Sequence, residues 1–178
     1  MRKLTHEGIA HLRVARTHMM NAVRTPVIGV LDNIRSLYNV GSIFRTSDGA
    51  FIQGLYLCGY TPTPPRKEIM KTALGATESV PWKYFANPLD ALAAAKKHGA
   101  KVCVLEQTTE SKTYYTLRKS DFPLCLVVGN ELTGVSPEVI SAADMAIEIP
   151  MHGMKQSLNA AVAYGIALYD LARVWHTG

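Results

Sequence analysis

Short apolar runs separated by helical patterns set the strongest limit on how this chain can fold. PLCLVVGNE, residues 123–131, is the clearest of them: continuous, apolar and closed by polar residues. A run of that length bounded by turn signals reads as a buried strand. PVIGVLD (26–32), GLYLCGY (54–60), VPWKYF (80–85), AKVCVLEQ (100–107) and MAIEIP (145–150) read the same way. Between them NVGSIFRTSDGAFI (39–52), NPLDALAAAKKHG (87–99) and SPEVISAAD (136–144) read as helices, and Ser157 to Trp175 as a long apolar one. Asn87 is placed to cap its helix, with Pro88 just inside the start and Gly99 closing it. TPTPPRKEIMKTALGATES (61–79) reads as a proline-rich loop with a short helical piece, too polar for core, and YYTLRKSDF (114–122) as a loop or short helix. Strands alternating with helices give an α/β class, a mostly parallel sheet with helices on both faces. Ligands of such sheets sit at the carboxyl ends of the strands.

A length of 178 residues is one domain or one domain with an appendage, and it suffices for a substantial core. The division expected is a short basic helical extension at 1–25 and one domain at 26–178. No apolar run reaches the roughly 20 residues that span a bilayer, and the charged N-terminus is no signal peptide, so a cytoplasmic location and no membrane are expected. Cys58, Cys103 and Cys125 fall in strands without CxxC spacing and read as buried free thiols. The net charge of +5 hints at a polyanionic partner. It is concentrated early: Arg2, Lys3, Arg13, Arg16 and Arg24 stand against Glu7 alone. That segment is either an RNA contact or a solvated amphipathic helix burying Ile9, Leu12, Met19 and Val23.

Three loops follow strong strands and carry backbone donors and small polar groups. NELTGVSPE follows 124–129, with Gly129 allowing close backbone approach and Glu131 placing a carboxylate there. EQTTES follows the strand ending near Leu105. MHGMKQSLN follows IEIP, where Pro150 ends the strand, Gly153 loosens the turn and Ser157 can cap the last helix. Together they suit a nucleoside-like ligand, although no GxGxxG or P-loop accompanies them, and plain caps and turns are the alternative. In the fourth segment, LDNIRSLYNVGSIFRTSDGAF, Asn39 can cap a helix. Gly41 inside that helix costs about 1 kcal/mol unless close packing needs it. Arg45 either snorkels to solvent or meets phosphate or carboxylate with its planar fork.

Three ordered blocks, NVGSIFRTSDGAF (39–51), LVVGNELTGVS (126–136) and IEIPMHGMKQSLNAAVA (147–163), resemble the SpoU family of S-adenosylmethionine-dependent RNA ribose 2′-O-methyltransferases, of the SPOUT superfamily. The resemblance implies a C-terminal deep trefoil knot, against the general rule for connections, and a homodimer with the active site at its interface. It implies Arg45, Asn39, Ser157, Asn159 and Glu131 as catalytic-site residues. Cofactor contacts would fall at Leu105, Gly129, Ile149, Met151 and Leu158, with Ile149 and Leu158 about the adenine. S-adenosylmethionine would be the co-substrate, and no metal ligand cluster is evident. VLEQTTES resembles the branch acting on tRNA, so tRNA is expected as the RNA partner over rRNA. Tyr164, Tyr169 and Trp175 offer either a dimer surface or core packing. The alternatives are an rRNA enzyme, a non-catalytic RNA-binding member of the fold, and an unrelated hydrolase using Ser157 with His152.

Overall fold

The computed structural model describes residues 1–5, 7–8 and 22–177. Most of the basic segment expected to form the first helix lies outside those residues. Val23, expected in its buried stripe, is 81% exposed in an irregular stretch before the first strand.

The strands are β1 (Thr25–Asp32), β2 (Ile52–Cys58), β3 (Trp82–Phe85), β4 (Lys101–Leu105), β5 (Lys112–Thr113), β6 (Leu124–Gly129) and β7 (Met145–Glu148). They form one parallel sheet in the order β3-β2-β1-β6-β4-β7-β5. The helices are α1 (Leu37–Gly49), α2 (Lys67–Ala73), α3 (Ala76–Ser79), α4 (Pro88–Lys97), α5 (Pro137–Ala142) and α6 (Ala160–Thr177).

Alternation along the strands explains the layers. In β1, Val27 and Leu31 join one core with Val40, Ile43 and Phe44 of α1 and Tyr164, Leu168 and Leu171 of α6. Ile28 and Val30 point the other way, into a core with Ala91, Leu92 and Ala95 of α4 and Val139 of α5. The six residues of β6 are all buried, since helices cover both faces of that strand. Each such aliphatic side chain stabilises by about 1.5–3 kcal/mol relative to exposure.

Several local expectations change. The helix expected to reach Ile52 stops at Gly49; Phe51 takes a left-handed φ of 50° and turns the chain into β2. The proline-rich segment is more than loop, because α2 and α3 bury Ile69, Ala73 and Ala76. The two-residue β5 went unread: Lys112 and Thr113 are polar and pair only with β7. Gly41 has the close packing it needs, since a Cβ there would strike the Ile69 carbonyl and Thr72 of α2. The three cysteines are free and buried in strands. Burial first, with a nearby Asp carboxylate second, pushes the Cys58 and Cys103 thiols up to about 12, so neither is a thiolate at neutral pH.

Candidate active site

Strand register brings Asp32 beside Gly129 and Leu105 beside Ile147, so the loops leaving β1, β6, β4 and β7 converge at one edge of the sheet. Asp32, fully buried, holds the loop after β6 by accepting from Ser136 N–H (2.8 Å) and Ser136 Oγ (2.7 Å). Asn130 folds that loop back. Its Oδ1 accepts from the N–H groups of Leu132 (2.9 Å) and Thr133 (3.0 Å), and its Nδ2 donates to the Asn33 carbonyl (2.8 Å) and Tyr60 Oη (2.7 Å). Gly129 is required by this packing, because a Cβ would collide with Gly134 and Val135 of its own loop. The absent side chain makes room for the loop's own backbone, and Gly129 also lines the cavity that these loops enclose. Glu106 completes the wall by accepting from Val135 N–H at 2.9 Å.

These loops enclose a cavity of about 490 Å³. Leu105, Gly129, Ile149, Met151 and Leu158 all line it, as do Glu131 and Ser157. Its walls are apolar at Leu105, Val128, Ile149 and Leu158 and acidic at Glu106, Glu131 and Glu148, with no Lys, Arg or His in the lining. Such a cavity is of ordinary ligand size. Its lining suits a compact ligand with an apolar face and a positive charge.

Beside the cavity runs a chain of hydrogen bonds. Glu131 Oε1 accepts from Asn39 Nδ2 at 2.8 Å, and Asn39 Oδ1 accepts from Asn159 Nδ2 at 3.1 Å. Glu131 also accepts from the backbone N–H groups of Arg35 (2.9 Å) and Ser36 (3.0 Å), at the entry to α1. Partial burial pushes the Glu131 carboxyl up, but these donors outweigh it and hold the group below its ordinary value. Residues from three distant segments therefore meet at one point.

Arg45 stands apart. It is exposed on α1, forms no ion pair with a described residue and does not line the cavity. It lies six positions after Asn39, about 9 Å along the helix axis. Ser157 is an exposed residue at the cavity wall, and no hydrogen bond joins it to His152.

The sequence profile of the SpoU rRNA Methylase family matches residues 26–169. The chain belongs to that family. It is 39% identical over 148 residues to the tRNA (guanosine(18)-2′-O)-methyltransferase of Aquifex aeolicus (strain VF5), a match covering 80% of this chain and 66% of that protein. The chain spans less than two thirds of the length of the curated relatives heading the comparison. Among solved structures it resembles the A. aeolicus TrmH/SpoU tRNA modifying enzyme, with a TM-score of 0.77, 32% identity and coverage of 89% of this chain and 81% of that one. An AdoMet-bound rRNA methyltransferase from Sinorhizobium meliloti superposes with a TM-score of 0.79 at 29% identity, covering 90% of this chain and 61% of that one.

Within this SpoU chain, helix starts differ from expectation. Asn39 lies inside α1, whose N-cap is Ser36, accepting from Asn39 N–H at 3.3 Å. Ser157 caps nothing, because the helix begins only at Ala160, after Asn159, whose Oδ1 accepts from Ala161 N–H (2.9 Å) and Val162 N–H (3.3 Å). Tyr164 is core, its Oη 2.8 Å from Ser47 Oγ; Trp175 packs on Phe122 at 5.5 Å between ring centroids; Tyr169 is exposed. Asp32, Asn130 and Glu106 were not singled out from the sequence. For Asp32 the signal was legible: a carboxylate ending an apolar strand needs donors. Among the described residues no group of His, Cys, Asp and Glu could hold a metal, and no helix is long and apolar enough to cross a membrane.

Proposed function

We propose that this SpoU-family chain transfers a methyl group from S-adenosylmethionine to a ribose 2′-hydroxyl of tRNA, as a homodimer in the cytoplasm and with a knotted C-terminal segment. One observation carries the reading most: the Glu131–Asn39–Asn159 chain joins the three sequence blocks beside a ligand-sized cavity. The cavity's fit to the co-substrate supports it, since apolar walls suit adenine and three carboxylates with no lining cation suit a sulfonium. When bound, S-adenosylmethionine supplies a methyl group activated by the positive charge on sulfur.

The protein's own residues divide the remaining work. Leu105, Ile149 and Leu158 hold the adenine, with the backbone at Gly129 and Met151 orienting its polar edge. Asn39 and Glu131 are positioning residues, fixing Asn159, which with Ser157 presents polar atoms to the reacting ribose. A guanidinium stays protonated in proteins. Arg45 therefore grips the phosphate beside the target and orients the hydroxyl, whose proton leaves to phosphate or water. The homodimer supplies what one chain lacks, an arginine at the cavity. The stripe Leu158, Val162, Ile166 and Tyr169, exposed along α6 and its approach, supports this as the surface a second copy would cover. The tRNA preference rests on the 39% identical guanosine-18 relative and on the VLEQTTES crest.

Methyl transfer from labelled S-adenosylmethionine into unmodified tRNA and rRNA separately, followed by nucleoside digestion, tests the proposal. Label in a 2′-O-methylated nucleoside of tRNA is expected. Label only in rRNA would keep the chemistry and reverse the substrate. A folded protein that binds no S-adenosylmethionine would overturn the reading.

A further inference from the structure

Tyr60 is exposed, yet it is held fixed. The residue is 61% exposed, while its N–H donates to Asn33 Oδ1 (3.2 Å) and its hydroxyl accepts from Asn130 Nδ2 (2.7 Å). Preceding it, Gly59 takes a φ of 62°, and the Gly59 carbonyl accepts from Tyr84 Oη at 2.9 Å. A lone exposed aromatic on a mobile tip needs no explanation. An exposed aromatic residue tethered at backbone and hydroxyl has already lost the freedom that binding would otherwise remove.

Its neighbourhood has a definite charge. Thr61 Oγ1 accepts from Ile34 N–H (3.0 Å) and Thr72 Oγ1 donates to the Tyr38 carbonyl (3.1 Å), which ties segment 60–74 to segment 33–38. Arg35, Arg66, Lys67 and Lys71 are exposed on these two segments, and none pairs with a described carboxylate. Glu68 is the one carboxylate in either segment. The hydroxyl anchor Asn130 lines the cavity, and the Arg35 N–H donates to Glu131, so this basic shelf borders the candidate active site.

We infer that Tyr60 is a stacking platform for a base of single-stranded RNA next to the target nucleotide, with Arg35, Arg66, Lys67 and Lys71 meeting the flanking phosphates. The inference deepens the proposed methyltransferase function and rests on it for the identity of the RNA. Every base offers a π-face, so the platform binds with little sequence preference, and the basic groups follow the backbone.

Unmodified tRNA is the probe, with direct binding measured without co-substrate and methyl transfer measured with it. Tyr60→Ala should weaken tRNA binding about tenfold or more. It should raise KM for tRNA likewise, leaving kcat at saturating tRNA and S-adenosylmethionine affinity unchanged. Tyr60→Phe and Tyr60→Trp keep a ring and should stay within about threefold of wild type. Wild-type tRNA binding by Tyr60→Ala would overturn the platform. So would a Tyr60→Phe protein that loses S-adenosylmethionine and tRNA binding together, because Tyr60 would then be a brace for Asn130. Joint Arg66→Ala and Lys67→Ala should flatten the salt dependence of tRNA binding by about 0.7 in log–log slope per charge; an unchanged slope would remove the phosphate contacts. If the wild-type protein methylates no RNA, the proposed reaction fails, while the binding comparison still decides the platform.

Discussion

Glu131 accepts three donors, two of them backbone groups at the entry to α1, and its carboxyl is held below the ordinary range. A folded-state value below the unfolded one means the contribution is full above about pH 4.3 and is lost as pH falls through the lower, folded value. Glu131→Gln should therefore cost about 1 kcal/mol at neutral pH, the scale of a lost helix cap. The gap between the two proteins in urea unfolding should close in acid; a gap independent of pH would reject the assignment. Arg45 calls for a different test. Because it is exposed and touches no core, Arg45→Lys should leave the fold and co-substrate affinity intact. Methyl transfer should drop roughly 100-fold or more, since a point charge cannot replace the planar fork. Near-normal turnover would sink the phosphate-gripping role. What the sequence hid at this scale was partnership. Asn39 and Asn159 were both visible as polar residues near helix starts, but nothing local says that their side chains bond to each other.

Elements were more legible, for a physical reason: the period of side-chain burial is written along each strand and helix. β6 and α4 were readable because continuous burial and an Asn-Pro start leave few alternatives. β5 was not, because two residues pairing with an edge carry no periodicity. The start of α6 was misplaced for a related reason. Ser157 has good capping chemistry, but residues 149–159 are not helical, and Asn159 serves both the cap and Asn39. Gly41 shows the reverse, a local cost that the tertiary structure explains. Gly41→Ala gains helix propensity yet forces α1 away from the Ile69 carbonyl of α2. It should destabilise by about 1–3 kcal/mol, read as a lower urea midpoint with an unchanged slope. A stabilised variant would mean that the two helices separate freely.

For the whole molecule, the exposed apolar stripe on α6 is the surface assigned to the proposed homodimer. Val162→Glu combined with Ile166→Glu should convert a dimer to a folded monomer in light scattering and abolish methyl transfer, the two effects appearing together. A variant that stays dimeric would move the interface elsewhere, and a monomeric wild type would remove it. The parallel sheet and its two cores followed from sequence pattern, whereas the exposure of the α6 stripe did not, because an exposed apolar stripe and a buried one share a periodicity. The bond between Asn39 and Asn159 spans 120 positions of the chain, and the last strand ends at Glu148. Every strand is therefore complete in sequence before the residue that closes this bond is reached. A chain cut anywhere in that interval keeps each of its strands and loses the contact that ties the first block to the last.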